Sequence, residues 1–353
     1  MPKHYDSIEV KKLPRSEVEI RGTIAAETVL AFKSSVLEEL QAQTEIPGFR
    51  AGHAPDNLLV ARFGELAIFE KAARLALSRA WQEIVERERL ETLGVPAITI
   101  TALAPGNPLG FTIRAAVIPS VTLPDYRTLA EERRREPRET PEVSEKEIDE
   151  VIWKIREEKA HTKLHKNNPT AQHHPPIAES NLPPLTDGGA KDLGNFSSLA
   201  DLRAQIKDNL IREKEKREKE RRRIALLEEI LAQTETEVPE VLVESELSLM
   251  LEQLKEDLAR AGLTLALYLK HIAKNEDDLR REWRESAEKR AKLELVLSEI
   301  ARKEKIQPPS ETIQKETEKL LVLHPQADPL RVRAYVAVTL THSKVIEFLE
   351  SAS

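Results

Sequence analysis

PGFRAGHAP, at residues 47–55, is the most informative stretch of the chain. Glycine permits tight turns and proline stops a helix, so this pattern predicts a short loop that presents Phe49 and Arg50 at its tip. A phenyl ring beside a guanidinium suits a surface that is partly apolar and partly anionic. The alternative is an ordinary turn between two helices in which Phe49 packs inward, and the loop taken alone favours that alternative.

The segments on either side of the loop predict a small α+β domain. Strand-like alternation and helical spacing of apolar residues distinguish the two kinds of element. The predicted elements are a strand at 18–24, a helix with Val29, Val36, Leu37 and Leu40 on one face, a short helix at 57–63, a long helix at 65–93, and strands at 97–103 and 109–118. On the long helix, Leu66 is expected to face inward with Phe69. The last two strands are joined by PGNP at 105–108, which is strong turn chemistry.

The pattern G-F-R-x-G-x-x-P and this order of elements resemble the ribosome-docking loop and N-terminal domain of the trigger factor family across residues 1–155. Trigger factors are bacterial chaperones that meet nascent chains at the ribosomal tunnel exit. The resemblance implies that the ribosome-binding residues are Gly48, Phe49, Arg50, Gly52, His53 and Pro55. Many members carry lysines where this chain has Ala51 and His53, so we expect docking with fewer phosphate contacts, or docking that depends on pH.

The composition is typical of a cytosolic protein with long exposed helices. The chain has 353 residues, of which 33% are charged and 4% aromatic, and it contains no cysteine. Disulfides and cysteine-based zinc sites are thereby excluded. We find no apolar run of membrane-spanning length and no signal-peptide core at the N-terminus. The formal net charge of -7 argues against broad nucleic-acid coating but permits one small basic docking site.

A proline- and histidine-rich stretch interrupts the chain after a charged region. A capping box at Ser144 and Glu147 predicts a helix that ends near residue 159, and Arg133 lies before it in what reads as a solvated linker. Most trigger factors have an FKBP-type prolyl-isomerase domain inserted here, but residues 161–195 are too few, because independent domains rarely fall below ~50 residues. The predicted domains are a ribosome-binding α+β domain at 1–130, a linker with a helix at 131–160, a Pro/His-rich linker at 161–195 and a helical chaperone domain at 196–353.

The remainder of the chain predicts an extended all-α domain whose hairpinned helices resemble trigger factor arms. The middle of its first helix, residues 207–223, is almost wholly polar and predicts a free-standing helix with internal ion pairs. Apolar residues left exposed on the arms would hold unfolded segments, although ordinary core packing is the favoured alternative for each. The client-binding candidates are Leu247, Met250, Leu263, Leu265, Tyr268, Leu320, Leu321 and Leu323.

No catalytic or cofactor motif accompanies these features. There is no phosphate-binding loop and no nucleophile elbow, so neither an ATP cycle nor any cofactor is expected. His161 and His165 have metal-ligand spacing on a helix, and His173 and His174 follow, but no acidic partner is near and a polar linker explains them better.

The main hypothesis is an ATP-independent holdase that binds the large ribosomal subunit, nascent chains and unfolded chains. As in relatives, the free protein could form a homodimer; no membrane partner is expected. A retained prolyl-isomerase activity and a helical adaptor for one folded partner are the alternatives.

Overall fold

The computed structural model describes residues 3–44, 49, 53, 55–137, 141–167, 185–191 and 196–351. The chain divides into two compact units, each built from separate stretches of sequence. The first unit contains residues 1–124 and 233–342, and the second contains residues 125–232 and 343–353.

The first unit contains a four-stranded antiparallel sheet. Its strands are β1 (Ser7–Leu13), β2 (Glu17–Ile24), β3 (Thr92–Ala102) and β4 (Leu109–Val117), in the order β1-β2-β4-β3. β1 was missed by the sequence reasoning because charged residues interrupt its alternation at Lys11 and Lys12. The turn at 105–108 is confirmed, with Gly106 at φ +77° between β3 and β4.

Helices account for most of the remaining structure. Their bounds are α1 (Ala26–Gln43), α2 (Asp56–Phe63), α3 (Glu65–Arg87), α4 (Tyr126–Arg135), α5 (Glu145–Asn167), α6 (Asp187–Lys191), α7 (Leu199–Gln233), α8 (Glu240–Arg260), α9 (Leu265–His271), α10 (Glu276–Glu304), α11 (Ser310–Leu323) and α12 (Pro329–Ser351). The predicted fold class, a small α+β N-terminal domain followed by an all-α region, is confirmed.

The core of the α+β part lies between one face of the sheet and helices α1 and α3. Val18, Ile20 and Ile24 alternate along β2 and are buried against alanines and larger apolar residues of α3. The predicted extent of α3 is wrong at its C-terminal end. The helix stops at Arg87 because Arg89 adopts a left-handed conformation with φ +51°, and β3 begins soon afterwards. Leu66 is also not inward, because it lies at the start of the helix beyond the core.

The α+β part is tied to the start of α8 by polar contacts within the first unit. Thr122 and Glu235 exchange both backbone hydrogen bonds, at 3.0 and 3.1 Å. The backbone N–H of Ser16 donates to the Glu237 carboxylate at 3.1 Å, and Arg15 pairs with Glu240. Residues far apart in sequence therefore form one compact body.

Helices α8 and α10 pack closely because α10 presents small side chains. Val243 and Leu247 of α8 are buried against Ala287 and Ala291 of α10. α10 starts with a capping box, in which the Asn275 and Asp278 side chains each accept the other's backbone N–H, at 2.8 and 2.9 Å. Such reciprocal caps satisfy helix donors that would otherwise lack partners.

Three predictions about α4 and α5 in the second unit have different outcomes. The capping box is confirmed, because the Glu147 backbone N–H donates to the Ser144 hydroxyl at 3.3 Å and the Ser144 backbone N–H donates to the Glu147 carboxylate at 2.9 Å. The predicted end of α5 is wrong, since the helix continues to Asn167. Arg133 is not in a solvated linker either: it lies in α4 and donates to Glu229 at 2.8 Å.

The polar middle of α7 is not free-standing. Lys214 pairs with Glu147 of α5 at 2.6 Å, and Arg223 pairs with Glu350 of α12 at 2.7 Å. Arg222 donates to the backbone carbonyl of Glu136 at 2.8 Å. The charged residues that predict a solvated helix instead form ion pairs and hydrogen bonds with neighbouring segments. A pattern of polar residues does not show which partners they contact.

Candidate functional site

The predicted loop at 47–55 falls between two helices, which are fixed to each other by polar contacts. α1 ends at Gln43 and α2 begins at Asp56, and the Gln41 side chain donates to the Asp56 carboxylate at 3.1 Å across this gap. Lys33 pairs with Glu65, and Lys71 pairs with Glu39, each at 3.0 Å. These contacts fix α1 against the start of α2 and against α3. The two ends of the segment between α1 and α2 are therefore held in place.

Phe49 is 44% exposed, which contradicts the alternative in which its ring packs inward. His53 and Pro55 are also exposed. Gly48, Arg50 and Gly52 lie outside the described residues. The Phe49 ring is therefore accessible to a partner surface.

Helix α2 adds exposed apolar residues that the sequence reasoning did not single out. Leu59 is fully buried and anchors the helix, whereas Leu58 and Phe63 are exposed. The Arg62 guanidinium lies 5.9 Å from the centre of the Phe63 ring. This second pairing of an aromatic ring with a cation could have been found from the adjacency of Arg62 and Phe63 in the sequence.

One client-binding candidate is corrected by the structure. Leu247 is 1% exposed because it fills the α8–α10 core, so it is not available to a client. Met250 is half-buried and packs against the same cluster. The apolar residues Val243, Leu247 and Met250 of α8 therefore contribute mainly to the fold.

The α9 region exposes apolar side chains at its beginning. Leu263 and Leu267 are exposed, and Leu265 and Tyr268 are half-buried. The Gly262 backbone is left-handed, with φ +73°, and turns the chain sharply between α8 and α9. These side chains remain accessible because α9 is only seven residues long and has no fully buried face.

The end of α11 and the outer face of α12 carry the most exposed apolar residues of the helical region. Leu323 is exposed, Leu320 and Leu321 are half-buried, and Val322 is 78% exposed. On α12, Leu330, Tyr335 and Val338 are also exposed, at 78%, 65% and 48%. Sequence reasoning missed these three because helical spacing identifies an apolar face without showing whether another element covers it.

Several ionisable groups have shifted pKa values with clear causes. Hydrogen bonds from Lys214 and from the Ser144 backbone and hydroxyl lower the pKa of Glu147 to about 2. Burial raises the pKa of Glu83, but the backbone and ring of His4 donate to its carboxylate and lower the net value. Burial lowers the pKa of His342. All three are explained by packing and pairing, so none requires a catalytic role.

Across the described residues, no group of His, Cys, Asp or Glu side chains could hold a metal ion. His161 and His165 fall on α5, and His173 and His174 lie outside the described part of the chain. No helix in the described ranges is long and apolar enough to cross a membrane.

Comparison with known families gives two matches that together cover most of the chain. Residues 7–155 match the family described as bacterial trigger factor protein, and residues 198–349 match the C-terminus of the same protein. The trigger factor of Moorella thermoacetica is 28% identical over 399 aligned positions, which cover 92% of this chain and 88% of the relative. That of Halothermothrix orenii is 25% identical, with 97% and 98% covered.

A solved structure from work on promiscuous substrate recognition in folding and assembly by the trigger factor chaperone shares the fold. It is 18% identical, with a TM-score of 0.51, and covers 97% of this chain and 99% of its own. The fold and the family matches thus define a ribosome-associated chaperone. The chain belongs to the trigger factor family.

Proposed function

We propose that this protein docks on the large ribosomal subunit near the tunnel exit and holds nascent or unfolded chains there without ATP. The observation that carries the proposal is the exposed Phe49 on a loop between fixed helices, in a chain with exposed apolar side chains on α9, α11 and α12. We assign both activities to one protein that works in the cytoplasm.

Docking is attributed to the loop at 47–55. The Phe49 ring would contact ribosomal protein and Arg50 would contact phosphate, with Gly48, Gly52 and Pro55 shaping the loop. His53 is exposed and offers a ring N–H that can donate to phosphate. Because Ala51 is uncharged, Phe49 and Arg50 carry most of the contact, and docking depends only moderately on salt.

Client holding is attributed to Leu263, Leu265, Tyr268, Leu320, Leu321 and Leu323, together with Val322, Leu330, Tyr335 and Val338. Each apolar side chain that is fully buried on binding contributes roughly 1.5–3 kcal/mol before the cost of ordering the client. Several separate patches of this kind give weak, reversible and sequence-tolerant binding. Release then needs no nucleotide, because the folding of the client itself removes its apolar segments.

Loss of prolyl-isomerase activity is part of the proposal. The two family matches leave only residues 156–197 between them, fewer than the ~50 that an independent domain needs. The alignment with the Moorella relative spans 399 positions, more than the 353 residues of this chain, so the relative has residues that this chain lacks. We expect no isomerisation of a proline peptide above background, and a clear rate would contradict this part.

The domain limits at 130, 160 and 195 and a homodimer of the free protein remain our proposals. Analytical ultracentrifugation of the free protein tests the homodimer: a concentration-dependent dimer supports it, whereas a monomer at all concentrations rejects it. Suppression of aggregation for several unrelated unfolded clients would argue against the adaptor alternative, since an adaptor for one folded partner needs no such breadth.

Ribosome pelleting tests docking directly. The Phe49→Ala/Arg50→Ala variant should lose most of its co-sedimentation with ribosomes, whereas Arg79→Ala, which removes an exposed cation on α3, should retain it. Equal pelleting of the double variant and the unmodified protein would reject the docking assignment.

A further inference from the structure

The free edge of β3 differs from the opposite edge of the same sheet. β1 and β3 are the two outer strands. β1 carries Glu9, Lys11 and Lys12 within seven residues, which is how natural edges discourage further pairing. Residues 97–102 of β3 read AITITA and contain no charge. One edge of the sheet is therefore protected by charge, and the other is not.

The backbone along this part of β3 is accessible. Ala97, Ile98, Thr99 and Thr101 are exposed. Within the described part of the chain, β4 is the strand that pairs with residues 97–102, and no backbone hydrogen bond from those residues to a further element is seen. In an antiparallel pair, every second residue directs both its N–H and its C=O away from the partner strand. The outer edge therefore offers unpaired donors and acceptors.

The side chains of β3 sort by face. Ile98 and Ile100 lie opposite Ile113 and Phe111 of β4, which belong to the core, yet Ile98 remains 42% exposed. Thr99 lies opposite Thr112 on the other face. An added strand with an apolar residue beside Ile98 would cover that side chain. The edge thus fits an uncharged strand of alternating polarity.

We propose that residues 97–102 of β3 bind an extended, uncharged segment of an unfolded polypeptide by strand addition. This inference rests on the proposed chaperone function, which supplies unfolded chains. Main-chain hydrogen bonds are independent of client sequence, as a chaperone requires. The edge also lies in the same compact unit as Phe49.

A second copy of the chain fits this edge less well. The pairing of β3 with β4 is irregular between Leu93 and Ala97 and again between Ile100 and Ala102. Two copies of β3 paired about Thr99 would place both irregular ends opposite each other, which limits the shared ladder. A flexible client can follow the twist that such bulges introduce.

The test uses a fluorescein-labelled peptide of alternating valine and threonine and an analogue N-methylated on alternate amides. The analogue keeps the side chains but loses backbone donors, so it should bind the full-length protein about tenfold more weakly. Thr99→Lys should weaken binding of the unmodified peptide about fivefold. Thr112→Lys is the matched control, because it places the same charge on the neighbouring inner strand, and its effect should be less than about twofold.

The results of the peptide-binding test can be distinguished from a failure of ribosome docking. Equal binding of both peptides, or equal effects of both lysine variants, would overturn the edge assignment. The assignment would also be overturned if the protein bound no peptide but formed a dimer that Thr99→Lys dissociates. The edge would then pair with a second copy of the chain. Thr99→Lys should still pellet with ribosomes; failure of the unmodified protein to pellet would reject the proposed function and leave the peptide result standing.

Discussion

Leu247→Ala is the sharpest test of the corrected assignment of α8. The Leu247 side chain is enclosed by Val243 of its own helix and by Ala287 and Ala291 of α10. Alanine side chains cannot extend into the space that the substitution leaves, whereas the flexible Met250 side chain packs against the same cluster and fills part of it. Buried leucine-to-alanine changes cost about 2–5 kcal/mol, and a partly filled cavity places this one at about 3 kcal/mol.

Leu249→Ala is the matched control, because Leu249 lies two residues away on the same helix and is 58% exposed. We expect it to cost less than about 1 kcal/mol. Urea unfolding can be followed through Trp283, which packs against the same cluster, after Trp81 and Trp153 are replaced by phenylalanine. Equal costs for the two alanine variants, or a cost below about 1 kcal/mol for Leu247→Ala, would refute the reasoning.

Three further predictions follow from other parts of the structure. Glu147 has its pKa lowered to about 2 from the usual 4.5, so its contribution to stability is present above pH 4.5 and is lost as pH falls through about 2. The urea midpoint, read at Trp153 as the solution is acidified, should fall over this range, and this part of the fall should be absent in Glu147→Gln. Leu330→Ser/Tyr335→Ser should reduce suppression of client aggregation without shifting ribosome pelleting, and unchanged suppression would remove α12 from the client surface. Gly94→Ala should destabilise the protein by about 1–2 kcal/mol through its positive φ. The loss should exceed that of Gly106→Ala, because of the two sites only Gly94 would bring the new Cβ close to Val241, at 3.0 Å. Equal losses of stability in the two variants would exclude the contact with Val241.

Local sequence signals predicted local structure well. The capping box at Ser144 and the turn at 105–108 are both present as expected. These features depend on residues a few positions apart, whose backbone groups satisfy one another. β1 was missed because its alternation is broken by charges that protect a sheet edge.

Sequence patterns predict less well the features that depend on contacts between distant residues. The charged middle of α7 predicts a solvated helix, yet Lys214 and Arg223 pair with residues on α5 and α12. The end of α3 differs from the prediction because the left-handed residue there is Arg89 rather than a glycine. For α7 the missing information lies in three-dimensional neighbours, whereas α3 ends through local hydrogen bonds of the Arg89 and Leu90 backbone N–H groups.

The glycines and prolines at 47–55 predict a loop and indicate the family, and the helices predicted on either side are confirmed, because such signals depend on residues adjacent in the chain. Which apolar residues are accessible follows from the tertiary structure. Leu247 is core and Leu330 is surface, although both lie at helical spacing in apolar stretches. The same holds for the edges of the sheet, because strand order, which exposes β3 on one side and β1 on the other, follows from long-range pairing.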